Sequence, residues 1–271
     1  MTRHLCLAAT LALAVTVSAF AQPRARTSQR SNDDWCADTS GGRRAHHCEV
    51  REATMSGLNP LDIDAGTNGG IHIEGWDRSD VRVRARLVGY ADTAADARRL
   101  VSEVRIEAAG TTVRADGPNN NTREKGWSVS FDIQVPRHAM LTLRTHNGGI
   151  SIDDFRGTAK FRALNGGVNL RNVGGDIRGG TTNGGVNVSL SGERWDGAGL
   201  DVETTNGGVR VEVPENYSAS LETGTVNGRL SIEFPITVRG TISRHITTTL
   251  GSGGAPIRAT TTNGGVSIRR K

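Results

Sequence analysis

Aromatic side chains are scarce in this sequence: four Trp, two Tyr and five Phe among 271 residues. Its core must therefore be narrow and filled by Val, Ile and Leu rather than by rings. Long apolar runs are missing beyond the N-terminus. No later segment approaches 18 consecutive apolar residues, and the C-terminal VSIRRK ends in charge, so neither a membrane span nor a hydrophobic anchor is expected. An excess of one charge is lacking too, with 33 Lys and Arg against 28 Asp and Glu. The basic residues are mostly Arg at alternating positions, such as Arg82, Arg84 and Arg86, which reads as a solvated sheet face; no nucleic-acid partner is expected.

Cysteine is limited to three residues. Cys6 lies inside an N-terminal segment with the marks of an export signal: Arg3 and His4, an apolar run from Leu5 to Val17, and the small-x-small site Ala19-Phe20-Ala21. Cleavage is expected between Ala21 and Gln22, which directs residues 22–271 to a periplasm or the outside. In that oxidising setting Cys36 and Cys48 form a disulfide around DTSGGRRAHH, worth on the order of 3 kcal/mol on the chain-entropy account. The competing reading is a metal site from Cys36, His46, His47 and Cys48, and the adjacent His47 and Cys48 fit zinc-ligand spacings poorly. No metal and no cofactor are expected.

What is abundant is glycine, 35 residues, nearly twice the usual share of about 7%. The glycines are ordered. Asn147, Asn165 and Asn183 each open an Asn-Gly-Gly followed by alternating apolar residues, at a constant interval of 18. Further copies begin at Asn68, Asn206 and Asn263, with a degenerate Asn-Gly-Arg at Asn227. A fixed period of this size with a strand pattern after each turn predicts an all-β fold, a β-solenoid or β-helix-like stack of ~18-residue coils. The Asn-Gly pair predicts a turn with left-handed backbone, and stacked Asn side chains predict a hydrogen-bonded ladder. The 36 residues between Asn227 and Asn263 predict one further coil, holding LGSGGAPIRA with Gly253-Gly254 in the turn.

The predicted organisation is a signal peptide at 1–21, a disordered leader at 22–34 and one β-solenoid domain at 35–271. That domain divides into the disulfide loop at 35–49, an irregular β part at 50–138 and the regular array at 139–271. One short capping helix is expected at about 93–104, where Thr93 is an N-cap and Ala97, Leu100, Val101 and Val104 recur at helical spacing. Insertions in GERWDGAG and PENYSA are expected to bulge as loops, and PNNNTREKG is a polar loop open to contact.

Candidate binding residues are Trp195, Trp76 and Trp127, each beside glycine and charge where a ring could stack on carbohydrate; covering a corner of a thin core is the alternative. Trp195, in an insertion that the repeat does not require, is the leading candidate. For catalysis the candidates are Asp153, Asp154 and Arg156, but no carboxylate pair recurs on neighbouring coils.

The repeated T-x-N-G-G-[VI]-x-[VIL], the stretch GWDRSDVRVRA at 75–85 and LGSGGAPIRATTTNGGVSI at 250–268 resemble the bacterial putative-adhesin domain family over about residues 50–270. The resemblance implies an exported or envelope-associated β-solenoid and carries over no catalytic or ligand residues. The expectation is a non-enzymatic envelope or surface module that binds polysaccharide, peptidoglycan or protein. The alternatives are a carbohydrate-active β-helix enzyme and a purely structural role.

Overall fold

The computed structural model describes residues 32–37, 44–56, 60–119, 125–233 and 244–271. The expected signal peptide, most of the leader and the middle of PNNNTREKG lie outside the described residues. In chain order the first elements are helix α1 (Asn32–Ala37), β1 (Ala45–Ser56), β2 (Leu61–Asp64), β3 (Ile71–Trp76), β4 (Asp80–Ala91) and helix α2 (Ala94–Glu103). Next come β5 (Arg105–Ala109), β6 (Thr112–Asp116), β7 (Gly126–Pro136), β8 (Met140–Asn147), β9 (Ile150–Asp153), β10 (Thr158–Asn165) and β11 (Val168–Arg171). After these lie β12 (Asp176–Asn183), β13 (Val186–Ser189), β14 (Gly199–Asn206), β15 (Val209–Val213), β16 (Ala219–Asn227) and β17 (Leu230–Ile232). The chain closes with β18 (His245–Leu250), β19 (Pro256–Asn263) and β20 (Val266–Arg270).

Among the described residues these strands form two sheets of ten. Sheet A runs β1-β4-β7-β3-β9-β11-β13-β15-β20-β17, and sheet B runs β18-β16-β19-β14-β12-β10-β8-β2-β6-β5. Each coil of the solenoid is one strand of sheet B, an Asn-Gly-Gly corner and one strand of sheet A. Parallel pairing is in exact register, with Asn147 opposite Asn165 and Asn165 opposite Asn183, so equivalent residues stack. Period-two alternation sends Ile150, Ile152, Val168, Leu170, Val186 and Val188 inward from sheet A, against Leu143, Phe161, Ile177 and Val202 from sheet B. Burial of each such side chain contributes about 1.5–3 kcal/mol before chain entropy is charged against it.

The corners obey a different rule from the one expected. None of the seven motif asparagines has a positive φ; among the described residues the non-glycine ones that do, Asp154 (φ 54°) and Asn172 (φ 49°), sit at the opposite corner, after β9 and β11. The first motif glycine is demanded by stacking instead. A Cβ on Gly148, Gly166, Gly184, Gly207 or Gly264 would come under 3.0 Å from the carbonyl oxygen of the equivalent glycine one coil away. Coils at strand spacing leave no room for it. The asparagines do form the ladder: Nδ2 of Asn147, Asn165, Asn183, Asn206, Asn263 and Asn227 each donates at 2.8–3.0 Å to Oδ1 of the neighbour before it, beginning at Asn68.

The ladder also shows a departure from sequence order. Asn263 stands between Asn206 and Asn227, because β19 and β20 insert between the coil of β14 and β15 and the coil of β16 and β17. Among the described residues no separate coil forms around Gly253-Gly254: β18 runs antiparallel to β16, and a glycine turn returns the chain into the slot. The coil at Asn68, placed by sequence in the irregular part, is the first of the stack.

Antiparallel pairing appears at the ends. At the first end β7 and β6 join β3 and β2 in parallel, and β4, β1 and β5 add to them antiparallel; at the far end β18 edges sheet B antiparallel to β16, while sheet A ends on the parallel β17. Helix α2 lies on β4, where a Cβ on Gly89 would meet the Ala97 backbone at 2.6 Å. Thr93 caps it by accepting from Asp96 N at 3.1 Å. A second helix, α1, occupies Asn32–Ala37, partly within the segment expected to be a disordered leader. The Cys36–Cys48 disulfide ties it to β1, with Cα atoms 5.7 Å apart, so these thiols are not metal ligands.

Candidate functional site: the outer face of sheet A

The outward positions of sheet A carry a chain of alternating charges across six strands. Arg84 on β4 contacts Glu52 on β1 at 3.3 Å and Asp132 on β7 at 3.2 Å. Asp132 meets His72 Nδ1 on β3 at 3.1 Å, and His72 Nε2 meets Asp153 on β9 at 3.0 Å. Arg171 on β11 donates through Nε and Nη2 to the two Asp153 oxygens at 2.8 and 2.7 Å. The Asp132 and Asp153 hydrogen bonds push His72 up to about 9 against the opposing pull of burial. Burial works to raise the Asp153 carboxyl, and the Arg171 and His72 hydrogen bonds overcome it, holding the group at about 2.

These contacts give the catalytic candidates other tasks. Asp153 is 8% exposed, ionised and bonded at both oxygens, so it has no proton to donate and no free lone-pair face to act as a base. Asp154 accepts from Asn172 Nδ2, and Arg156 donates to the Asn172 carbonyl and, at 2.7 Å, to its Oδ1. Ser191 Oγ donates to the same oxygen. The three candidates therefore brace the corner opposite the asparagine ladder.

Beside this chain of charges lies a row of shorter polar side chains. Ser151, Asn169, Asn187 and Ser189 line an open groove of about 420 Å³ with Arg171, Arg210 and Glu212 at its sides. Asn187 Nδ2 donates to Asn169 Oδ1 at 3.0 Å, a second amide ladder. A further depression of about 480 Å³ shares Asn187 and Arg210 and runs over Gly185, Gly208 and Gly265 to Arg229, Ser231 and Ser267. The face offers amides and hydroxyls in rows at strand spacing, about 4.8 Å, with single guanidinium groups beside them.

The tryptophans lie elsewhere. Trp195 is 5% exposed, packs in the main core and donates Nε1 to Gly175 O at 3.0 Å, so its ring has no free face for a sugar. Its segment does not bulge: Arg194 bridges Ser218, and Tyr217 from the other insertion is buried beside the same core. Both insertions thicken a core otherwise poor in rings. Trp76 is half-buried, donates to Asp80 O at 2.9 Å and has the Arg78 guanidinium 4.7 Å from its ring centre. Trp127 donates to Pro118 O at 2.9 Å and packs against the core at the capped end. Sequence reasoning missed the sheet A face because each of its residues is an ordinary polar strand position; only the row of Ser151, Asn169 and Asn187 at the same offset after each corner signalled it. Among the described residues no group of three or more His, Cys, Asp or Glu could hold a metal ion, and no helix is long and apolar enough to cross a membrane.

Residues 95–269 match the family model described as Toastrack DUF4097. The chain belongs to this family. The Toastrack match begins inside α2 and ends in β20, so the first coil of the stack, at Asn68, precedes it. Among solved structures the Toastrack chain is similar to a putative cell adhesion protein from Clostridium sporogenes, at 11% identity and a TM-score of 0.43, covering 82% of this chain and 100% of that one. It is also similar to a putative adhesin from Bacteroides fragilis, at 12% identity and a TM-score of 0.34, covering 83% and 97%. A putative lipid binding protein from Parabacteroides distasonis aligns at 16% identity with a TM-score of 0.28, covering 83% and 96%. No curated protein matches the sequence.

Proposed function

We propose that this Toastrack protein is an exported, non-catalytic module of the bacterial cell envelope or surface that holds an extended polysaccharide against the outer face of sheet A. The observation that carries the reading is the in-register row of Ser151, Asn169 and Asn187 above an open groove. Short amide and hydroxyl groups repeated at strand spacing suit a polymer of repeating hydroxylated units better than one compact ligand. The ionised, ion-paired carboxylates at Asp132 and Asp153 favour binding over hydrolysis, since neither holds a proton for a leaving group.

The test is a pull-down with insoluble peptidoglycan and with immobilised envelope polysaccharide, comparing wild type and Asn169→Ala/Asn187→Ala. Retention of wild type and loss by the double variant is the expected result; equal retention removes this face as the seat, and absence of retention on every polymer sinks the reading. Fractionation of the native cell checks the export expectation, and recovery in the cytosol would overturn it.

A further inference from the structure

Outward charges on this solenoid meet their opposites across strands. In register, Arg84 faces Glu52 and Asp132, Arg171 faces Asp153, Arg114 faces Asp64 and Glu107, and Arg258 faces Asp201 and Glu222. Strand β10 breaks the rule. Among the described residues two registers set cation against cation, Arg162 opposite Arg144 on β8 and Lys160 opposite Arg178 on β12, and both belong to β10. All four side chains are exposed on the outer face of sheet B, on the side of the solenoid away from the groove of sheet A.

The two flanking cations are engaged by acids. Arg144 Nη2 donates to Asp62 at 2.8 Å, and Arg178 Nε donates to Asp176 at 2.7 Å. The two on β10 are not: Lys160 and Arg162 make no ion pair or side-chain hydrogen bond with a described residue. Gly180 stands opposite Arg162 on β12, so no side chain screens that flank. Like charges directly opposite on a sheet face are destabilising, and a local departure from a pairing rule that the rest of the fold keeps is expected where a function requires it.

Acids also bound the cluster, with Asp62 and Asp64 on β2 to one side and Asp201 and Glu203 on β14 to the other. The excess of positive charge is confined to three strands, which suits a compact anionic group better than an evenly charged polymer. Several oxygens on one centre let a phosphate accept from more than one cation at once, whereas the two oxygens of a carboxylate are satisfied by a single guanidinium fork.

We propose that Lys160 and Arg162, flanked by Arg144 and Arg178, form a binding site for a multivalent phosphate group, separate from the polysaccharide face. The two free cations contact the phosphate oxygens, and the charge of the ligand offsets the repulsion along β10.

The full chain is titrated by calorimetry with inorganic pyrophosphate and with citrate, a compact anion without phosphorus, at low and high salt. Lys160→Gln/Arg162→Gln is compared with wild type and with Arg98→Gln/Arg105→Gln, which removes the same charge from α2 and β5. Expected are pyrophosphate binding that weakens with salt and a loss of about tenfold or more in the β10 variant alone. Co-sedimentation with phosphatidic acid vesicles separates the carriers: pelleting that pyrophosphate reverses assigns the phosphate to a lipid, and pyrophosphate binding without pelleting assigns it to a soluble molecule. Equal loss in both variants, equal binding of citrate, or no binding of pyrophosphate each overturns the site. Arg162→Glu, which sets an acid opposite Arg144, is expected to melt about 1–2 °C above wild type in phosphate-free buffer while losing pyrophosphate binding. A lower melting temperature overturns the repulsion on which the site rests.

Discussion

Thr181 Oγ1 donates at 2.7 Å to Gly166 O, an acceptor fifteen residues back and one coil away. That same oxygen is the atom a Cβ on Gly184 would strike. Thr145, Thr204, Thr261 and Thr225 make the equivalent bond to Gly69, Gly184, Gly207 and Gly264 at 2.5–2.8 Å. The Thr and the first Gly of T-x-N-G-G are thus two fittings around one carbonyl of the neighbouring coil. In the coil of Asn165 the place of Thr is taken by Ala163, which has no hydroxyl to offer Gly148 O.

Replacing Thr181 with Val keeps the shape and leaves the Gly166 carbonyl without its buried donor. The expected cost is about 1–2 kcal/mol, read from urea denaturation. Ala163→Thr is expected to gain up to about 1 kcal/mol by supplying the missing donor. A neutral result for Thr181→Val would show that the threonine row is incidental.

The two motif glycines should separate cleanly. Gly184→Ala is expected to cost more than about 3 kcal/mol or abolish soluble expression, because its methyl group overlaps a backbone oxygen that cannot move without its coil. Gly185→Ala should stay within about 1 kcal/mol of wild type, its Cβ meeting Gly208 O at 3.4 Å. Thermal melts of the two single variants decide the point.

His72 sets a pH dependence. Its folded value of about 9 lies above the ordinary 6.5, so its pairs with Asp132 and Asp153 stabilise the chain fully below about pH 6.5 and fade as pH climbs through 9. Asp153, lowered from 3.8 to about 2, contributes above 3.8 and loses that contribution as pH falls through 2. With its side chain 42% exposed, His72 contributes a screened and modest amount. Urea midpoints from about pH 6 to about pH 9.5 should decline in wild type and flatten in His72→Gln; parallel curves would count against the pairing.

Trp195 tests the core. Trp195→Ala should cost about 3–5 kcal/mol by opening a cavity, whereas Trp195→Phe keeps most of the packing and loses chiefly the bond to Gly175 O, about 1 kcal/mol. Polysaccharide retention by the folded Phe variant should equal that of wild type. Loss of retention with unchanged stability would return the ring to the binding surface.

Much of the architecture was legible because it is periodic. The 18-residue spacing of Asn147, Asn165 and Asn183, the alternation after each corner and the capped pattern from Thr93 to Val104 each encode a contact with an equivalent or nearby residue. A repeat therefore prints its own contact map. The short α1 carries no such pattern and is not legible in the sequence, and the left-handed backbone expected at the asparagines belongs to Asp154 and Asn172, whose corner lacks a repeated motif.

The sequence by itself determined the coil: its length, its buried face, its asparagine ladder and the two cysteines close enough to join. Tertiary structure decided what depends on residues remote in the chain. It put the coil of Asn263 between those of Asn206 and Asn227, where β19 pairs with β14 on one side and with β16 on the other after β18 has run back along β16. Trp195 lies in the core, with Nε1 bonded to Gly175 O on a neighbouring coil, a contact that its local sequence does not reveal. Asp132 and Asp153, 60 and 81 residues from His72 in the chain, meet its ring only because three non-sequential strands lie side by side.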